Sequence, residues 1–167
     1  NYNNITIPNV TANVTDNDTA GVTITESGGS TDVAEGGGTD SYTVVLNSQP
    51  TANVTITITP DGQSTVSPTS LTFTPADWNT PQTVTVTAVD DNVAEGNHTS
   101  TISHSASSTD ANYNNIGIAS VTANVTDNDT AGVTITESGG STDVAEGGGT
   151  DSYTVVLNSQ PTANVTI

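Results

Sequence analysis

Not one lysine or arginine occurs in the chain, against 18 aspartates and glutamates, which leaves a formal net charge of −18. Without a basic side chain the protein cannot neutralise phosphates, so nucleic acid is not expected as a partner. Anionic membrane surfaces are disfavoured for the same reason. Cysteine is absent as well, so no disulfide staples the fold. Cross-links that require a lysine amine are excluded too. Aromatic residues are few: one Trp, four Tyr and one Phe. No apolar run approaches the ~18 residues of a membrane-spanning helix, and nothing resembles a signal peptide, so no direct membrane insertion is expected in this window.

What the chain does contain is a duplication. Residues 1–56 match residues 112–167 at an offset of 111, differing only at Thr6 against Gly117, Pro8 against Ala119 and Asn9 against Ser120. Periods of ~20 to 50 residues mark solenoids, whose units cannot bury a core alone; a period of domain length points to autonomous units in tandem. The sequence starts inside one repeat and stops inside another, so it reads as a window on a longer protein. The expected division is 1–18 as the last strand of a preceding repeat, 19–129 as one complete repeat, and 130–167 as the first strands of the next. The joint, Thr130-Ala131-Gly132, is short and gives neighbours little freedom.

With 31% hydrophobic residues and so much charge, composition alone lies near the disordered regime. Pattern decides for a fold. A period-two pattern, rich in Thr and Val, runs over 22–25, 41–46, 53–58, 70–74, 83–89, 99–104 and 120–125, the signature of half-buried strands. Breaks rich in Gly, Pro, Asn and Asp separate them. The prediction is an all-β chain of tandem seven-stranded Greek-key, immunoglobulin-like sandwiches with essentially no helix; 75–79 holds one helical turn at most. Expected core residues are Val22, Ile24, Tyr42, Val44, Leu46, Val54, Ile56, Ile58, Leu71, Phe73, Val84, Val86 and Val121, with Thr on the outer faces.

Several strands end in carboxylates. In a simple antiparallel order, the turn at Glu35, the turn carrying Asp90, Asp91 and Glu95, and the terminal Asp127 and Asp129 share one pole. Six carboxylates with no basic partner repel one another, and a hard divalent cation answers that repulsion. Calcium accepts six to eight oxygens at flexible geometry, whereas magnesium keeps its waters in a strict octahedron. Zinc calls for His or Cys, of which the chain has only His98 and His104. These two lie six residues apart on one strand and read as structural. An EF-hand is excluded for the stretch from Asp127, because loop position 5 is Ala131 and position 12, where a bidentate Glu is needed, is Ser138. Trp78 reads as a core plug, and Asp110 with Tyr113 as a local turn.

The order ValAlaGluGlyGly, TyrThrValValLeu, SerLeuThrPheThr, ThrValThrValThrAlaValAspAspAsnValAlaGluGly and ValThrAlaAsnValThrAspAsnAsp resembles the Calx-β repeat, most closely the tandem variety of large bacterial surface proteins. The likeness covers the whole 111-residue unit. It implies a seven-stranded Greek-key sandwich binding Ca2+ at its C-terminal pole. By motif, Asp90, Asp91 and Glu95 match the family's central loop ligands, Asp127 and Asp129 its terminal pair, and Glu35 its first-turn acid. Asp16 and Asp18 then serve the preceding repeat, and Glu146 the following one. The pattern departs between strands three and four, where an Asp before a Tyr is usual and only Asp61 is present.

The function expected from this reading is a structural calcium-binding repeat of an extracellular or cell-surface stalk, adhesin shaft or filament. Its partners are neighbouring copies of the same repeat, and calcium rigidifies the joints. The alternative is a carbohydrate- or protein-binding sandwich module. No nucleophile and base pair, phosphate loop or cofactor motif occurs, so no enzyme activity is expected.

Overall fold

A computed structural model of the chain describes residues 2–167. Two sheets face each other. The first has the order β1 (Val22–Glu26), β3 (Thr39–Leu46), β7 (Gln82–Ala88), β5 (Ser64–Ser67). The second runs β2 (Thr31–Ala34), β9 (Val121–Thr126), β8 (His98–Ser108), β4 (Val54–Pro60), β6 (Ser70–Phe73). Strands β10 (Val133–Glu137) and β11 (Tyr153–Leu157) form a separate pair whose register copies that of β1 with β3. The chain is thus all-β, a β-sandwich with non-sequential Greek-key neighbours such as β4 beside β8.

All seven strands expected of the complete repeat form, and β2 and β5 accompany them in the sandwich, whereas residues 2–18, expected as the last strand of a preceding repeat, form no strand and lie exposed without a partner strand beside them. β2 and β5 are four residues long with a single Val each, too little alternation to register in the sequence. β2 matters most. A 3-10 turn at Ser27–Gly29 separates it from β1, with Gly28 and Gly29 at φ 68° and 92°, left-handed conformations that glycine adopts without steric cost. The chain thereby leaves the first sheet and enters the second, where β2 pairs with β9 in parallel, Ala34 opposite Thr126. All other ladders are antiparallel.

The core fills the space between the sheets with Tyr42, Val44, Leu46, Val54, Ile56, Ile58, Leu71, Phe73, Val84, Val86 and Val121, as expected, and also Val33, Ala88, Ile102, Ala106, Tyr113, Ala123 and Val125. Val22 and Ile24 are only partly buried, because β1 is an edge strand with one neighbour. Thr side chains line the outer faces, for example Thr23, Thr83 and Thr85. Trp78 packs partly buried against the core and its carbonyl accepts the Leu46 N–H. Asp110 and Tyr113 do make a turn. Asp110 accepts the Thr51 and Asn112 N–H groups, and the buried Tyr113 hydroxyl donates to the Ser48 carbonyl at 2.6 Å, which ties the loop after β8 to the β3–β4 turn.

One polar strut crosses the sandwich. His104 Nδ1 lies 2.9 Å from the Ala119 carbonyl, which only accepts, so Nδ1 carries the proton and Nε2 accepts from the Tyr42 hydroxyl at 2.8 Å. The two rings meet edge to face, centroids 5.5 Å apart. Burial holds the imidazole below its ordinary value and the Tyr42 phenol above its own. Since the folded state resists protonating His104, stability is complete above an unfolded imidazole pKa of ~6.5 and declines as pH falls through it. Tyr42→Phe, which leaves Nε2 without its donor, is expected to cost about 1–2 kcal/mol in urea unfolding. His104→Gln is expected to remove the loss of stability between about pH 7 and 5.5.

Candidate metal centre

The parallel ladder builds one pole. With Ala34 beside Thr126, the next residue on each strand is a carboxylate, and the Glu35 N–H closes the ladder by donating to the Thr126 carbonyl at 3.0 Å. Glu35 and Asp127 are therefore forced into proximity by backbone pairing, before any side chain chooses a partner. The β7–β8 loop, with Asp90, Asp91 and Glu95, emerges at the same end. It is held there by the Gly96 N–H donating to Asp127 Oδ2 at 2.6 Å and by Asn128 Nδ2 donating to Asp90 Oδ1 at 3.1 Å. Gly36 turns away at φ 77°, and a Cβ there would stand 2.9 Å from Asn128 Nδ2, so the turn after β2 sits tightly on the terminal loop.

Two groups of donor atoms result, each with its atoms within 4.8 Å of one another: Glu35, Asp91 and Asp129, and Glu35, Glu95 and His98. The first is purely oxygen. Glu35 is 7% exposed, and its Oε2, like Asp129 Oδ2, is buried with no hydrogen-bond partner. Burial, followed by the charges of Asp127 and Asp91, pushes the Glu35 carboxyl above its ordinary value. Asp129 rises for the same reason, burial first, then Asp127, Asp90 and Asp91. Asp127 goes the other way, because the Asp129 and Gly96 N–H groups donate to it and favour its charged form.

Most carboxylates elsewhere are satisfied by backbone or hydroxyl donors. Asp61 takes the Thr101 N–H and the Ser100 hydroxyl and joins neither group. Asp16 and Asp18 repeat the local turn of Asp127 and Asp129, an N–H from the second to the first, but line a cavity with Ser48, Gln49 and Asp110 at the opposite pole. Glu146 is exposed, in a segment without a β9-like partner. His98, read from sequence as structural, instead faces Glu35 and Glu95 at the pole. Alternation puts it on the same strand face as His104, and only its place at the first residue of β8 sets it apart.

No family model matches the chain, and no curated protein matches it. Among solved structures, the apo form of the Calx CBD1 domain aligns at 18% identity over 65% of this chain and 98% of its own, with a TM-score of 0.45. SSP-19, an MSP-domain protein like family member in Caenorhabditis elegans, aligns at 12% identity over 62% of this chain and 97% of its own, with a TM-score of 0.39.

The raised carboxyls carry a sign that can be checked. A carboxyl whose folded value exceeds its unfolded value penalises the fold when ionised, so its contribution is best below the unfolded value and is lost as pH rises through the folded one. In chelator this contribution opposes that of His104, so it is read in the His104→Gln background, where the melting temperature is expected to rise as pH is lowered from 7 toward about 4.5, the ordinary Glu value. Glu35→Gln should flatten that rise.

Proposed function

We propose that the chain is a calcium-binding structural repeat of an extracellular or cell-surface stalk, adhesin shaft or filament, not an enzyme. One observation carries this reading: two buried carboxylate oxygens, Glu35 Oε2 and Asp129 Oδ2, lie without partners in an all-oxygen group, in a chain with no Lys or Arg. Buried polar atoms left unpaired call for a water or an ion, and a cluster of anions selects a cation. Oxygen-only donors on loops fit calcium better than softer metals. Glu35, Asp91 and Asp129 would hold the ion, with Asp127 and Asp90 beside them. The sequence likeness to Calx-β repeats supports the same assignment.

Calcium would also act on the joint. The loop that carries Asp91 places the Asn92 carbonyl 2.6 Å from the Gln160 N–H, and Val93 and Ala94 border a cavity with Leu157 and Pro161. An ion that gathers the loop against Glu35 and Asp129 therefore fixes the surface that meets the following segment. With neighbouring repeats in tandem, such contacts stiffen a shaft. The carbohydrate-binding alternative needs an exposed aromatic platform on the sandwich, where Tyr42, Phe73 and Tyr113 are buried and Trp78 is packed against the core; the exposed Tyr2 and Tyr153 lie outside it, in the two terminal segments.

Ligand linkage sets the expected size of the effect. Extracellular modules bind calcium at roughly 10⁻⁴ to 10⁻³ M, so millimolar calcium adds about 1 kcal/mol per site, or a melting shift of about 3 °C or more. Differential scanning calorimetry with calcium and with chelator measures it. Asp91→Asn and Asp129→Asn should abolish most of the shift. Equal melting temperatures for the wild-type chain with calcium and with chelator would defeat the reading.

A further inference from the structure

We infer that Glu35, Glu95 and His98 form a second cation site at the same pole, of mixed carboxylate and imidazole ligation, which takes a transition metal of the zinc class. The donor atoms of the three residues all lie within 4.8 Å of one another. Glu35, 93% buried by its 7% exposure, brings an unpartnered oxygen into the pole where both groups meet. His98 is oriented as metal-bound histidines are. Its Nδ1 lies 2.9 Å from the Gly96 carbonyl, which only accepts, so that nitrogen is the donor and Nε2 keeps its lone pair free on the side of the ring near Glu95. Nε2 stands 3.7 Å from Glu95 Oε2, too far for a hydrogen bond. It is close to the donor separation of about 3.4 Å that tetrahedral zinc imposes with bonds of roughly 2.0–2.2 Å. The Gln63 amide donates to the same Glu95 oxygen at 3.0 Å and fixes its direction, an outer-sphere support.

The neighbouring oxygen group and this one differ in chemistry, which separates their occupants. Calcium takes oxygen donors and gains little from imidazole, whereas zinc-class ions favour a nitrogen donor at a small coordination number. The pole thus offers a hard subsite at Glu35, Asp91 and Asp129 and a softer one at Glu35, Glu95 and His98, joined through one buried carboxylate. The assignment does not rest on calcium occupying the first.

Only two imidazoles occur in the chain, and His104 is locked in the interior strut, which supplies an internal control. Zinc chloride titrated into the full chain in saturating calcium, followed by the histidine ring resonances in 1H–13C NMR, should shift His98 to completion at one equivalent and leave His104 unmoved. Calorimetry should show zinc binding weakened at least about tenfold in His98→Gln, with calcium binding unchanged in that variant. Asp129→Asn, which removes a ligand of the hard subsite alone, should still show the His98 shift, so failure of the calcium reading and failure of this one are distinguishable. Equal response of both imidazoles, or unaltered zinc affinity in His98→Gln with a native circular dichroism spectrum, would overturn the inference.

Discussion

No residue of this chain carries a fixed positive charge, so each carboxylate that folding draws from water must be hydrogen-bonded, protonated or matched by an ion from solution. The structure sorts its acids by these options. Asp61, Asp110 and Asp127 receive backbone N–H groups and are held below their ordinary values, ionised and satisfied. Glu35 and Asp129 are pushed up by burial and then by the neighbouring carboxylates. A protein with lysines could have closed this gap with an ion pair. Here that gap is the basis of the proposed cation site.

Placement of that gap follows from topology. The two glycines between β1 and β2 let the chain cross from one sheet to the other, and the crossing makes β2 run parallel to β9. Parallel strands end at the same pole. Glu35 and Asp127, each one residue beyond the ladder, are thus set side by side, and the β7–β8 loop is drawn over them by Gly96 and Asn128. An antiparallel β2 would have sent Glu35 to the other end. Backbone pairing, determined by residues with no metal chemistry, therefore dictates where the negative charge collects. The Tyr42–His104 strut and the Tyr113 tether stabilise the sandwich independently of any ion.

Much of this was legible in the sequence, for stated reasons. Period-two alternation, rich in Thr and Val in β3, β4, β7 and β9 and in Thr and Ser in β8, marks these strands because each presents one face to a core and one to water. The short β2 and β5 hold one Val apiece and carry no period to read, so the parallel crossing was not foreseen. Carboxylates placed at turns point to the pole, but an antiparallel order does not explain it: the proximity of Glu35 to Asp127 depends on the one parallel ladder. Ile102 and Val125 lie on expected strands and complete the core there, whereas Tyr113 lies in a loop, where periodicity gives no signal of burial. His98 was hidden by its alternation with His104, since a shared strand face says nothing of which end meets the acids. The Gly96 carbonyl that sets its tautomer is a backbone feature, invisible to residue type.

The central claim is that the pole of Glu35, Asp91 and Asp129 exists to hold a hard cation. Its most direct measurement is a crystal structure of the chain grown with calcium, with anomalous difference density collected at a wavelength where calcium scatters. The account predicts a peak bonded to Glu35 and Asp129 at roughly 2.3–2.6 Å. Both carboxylates paired with water or protein donors instead, with no anomalous peak between them at millimolar calcium, would contradict it.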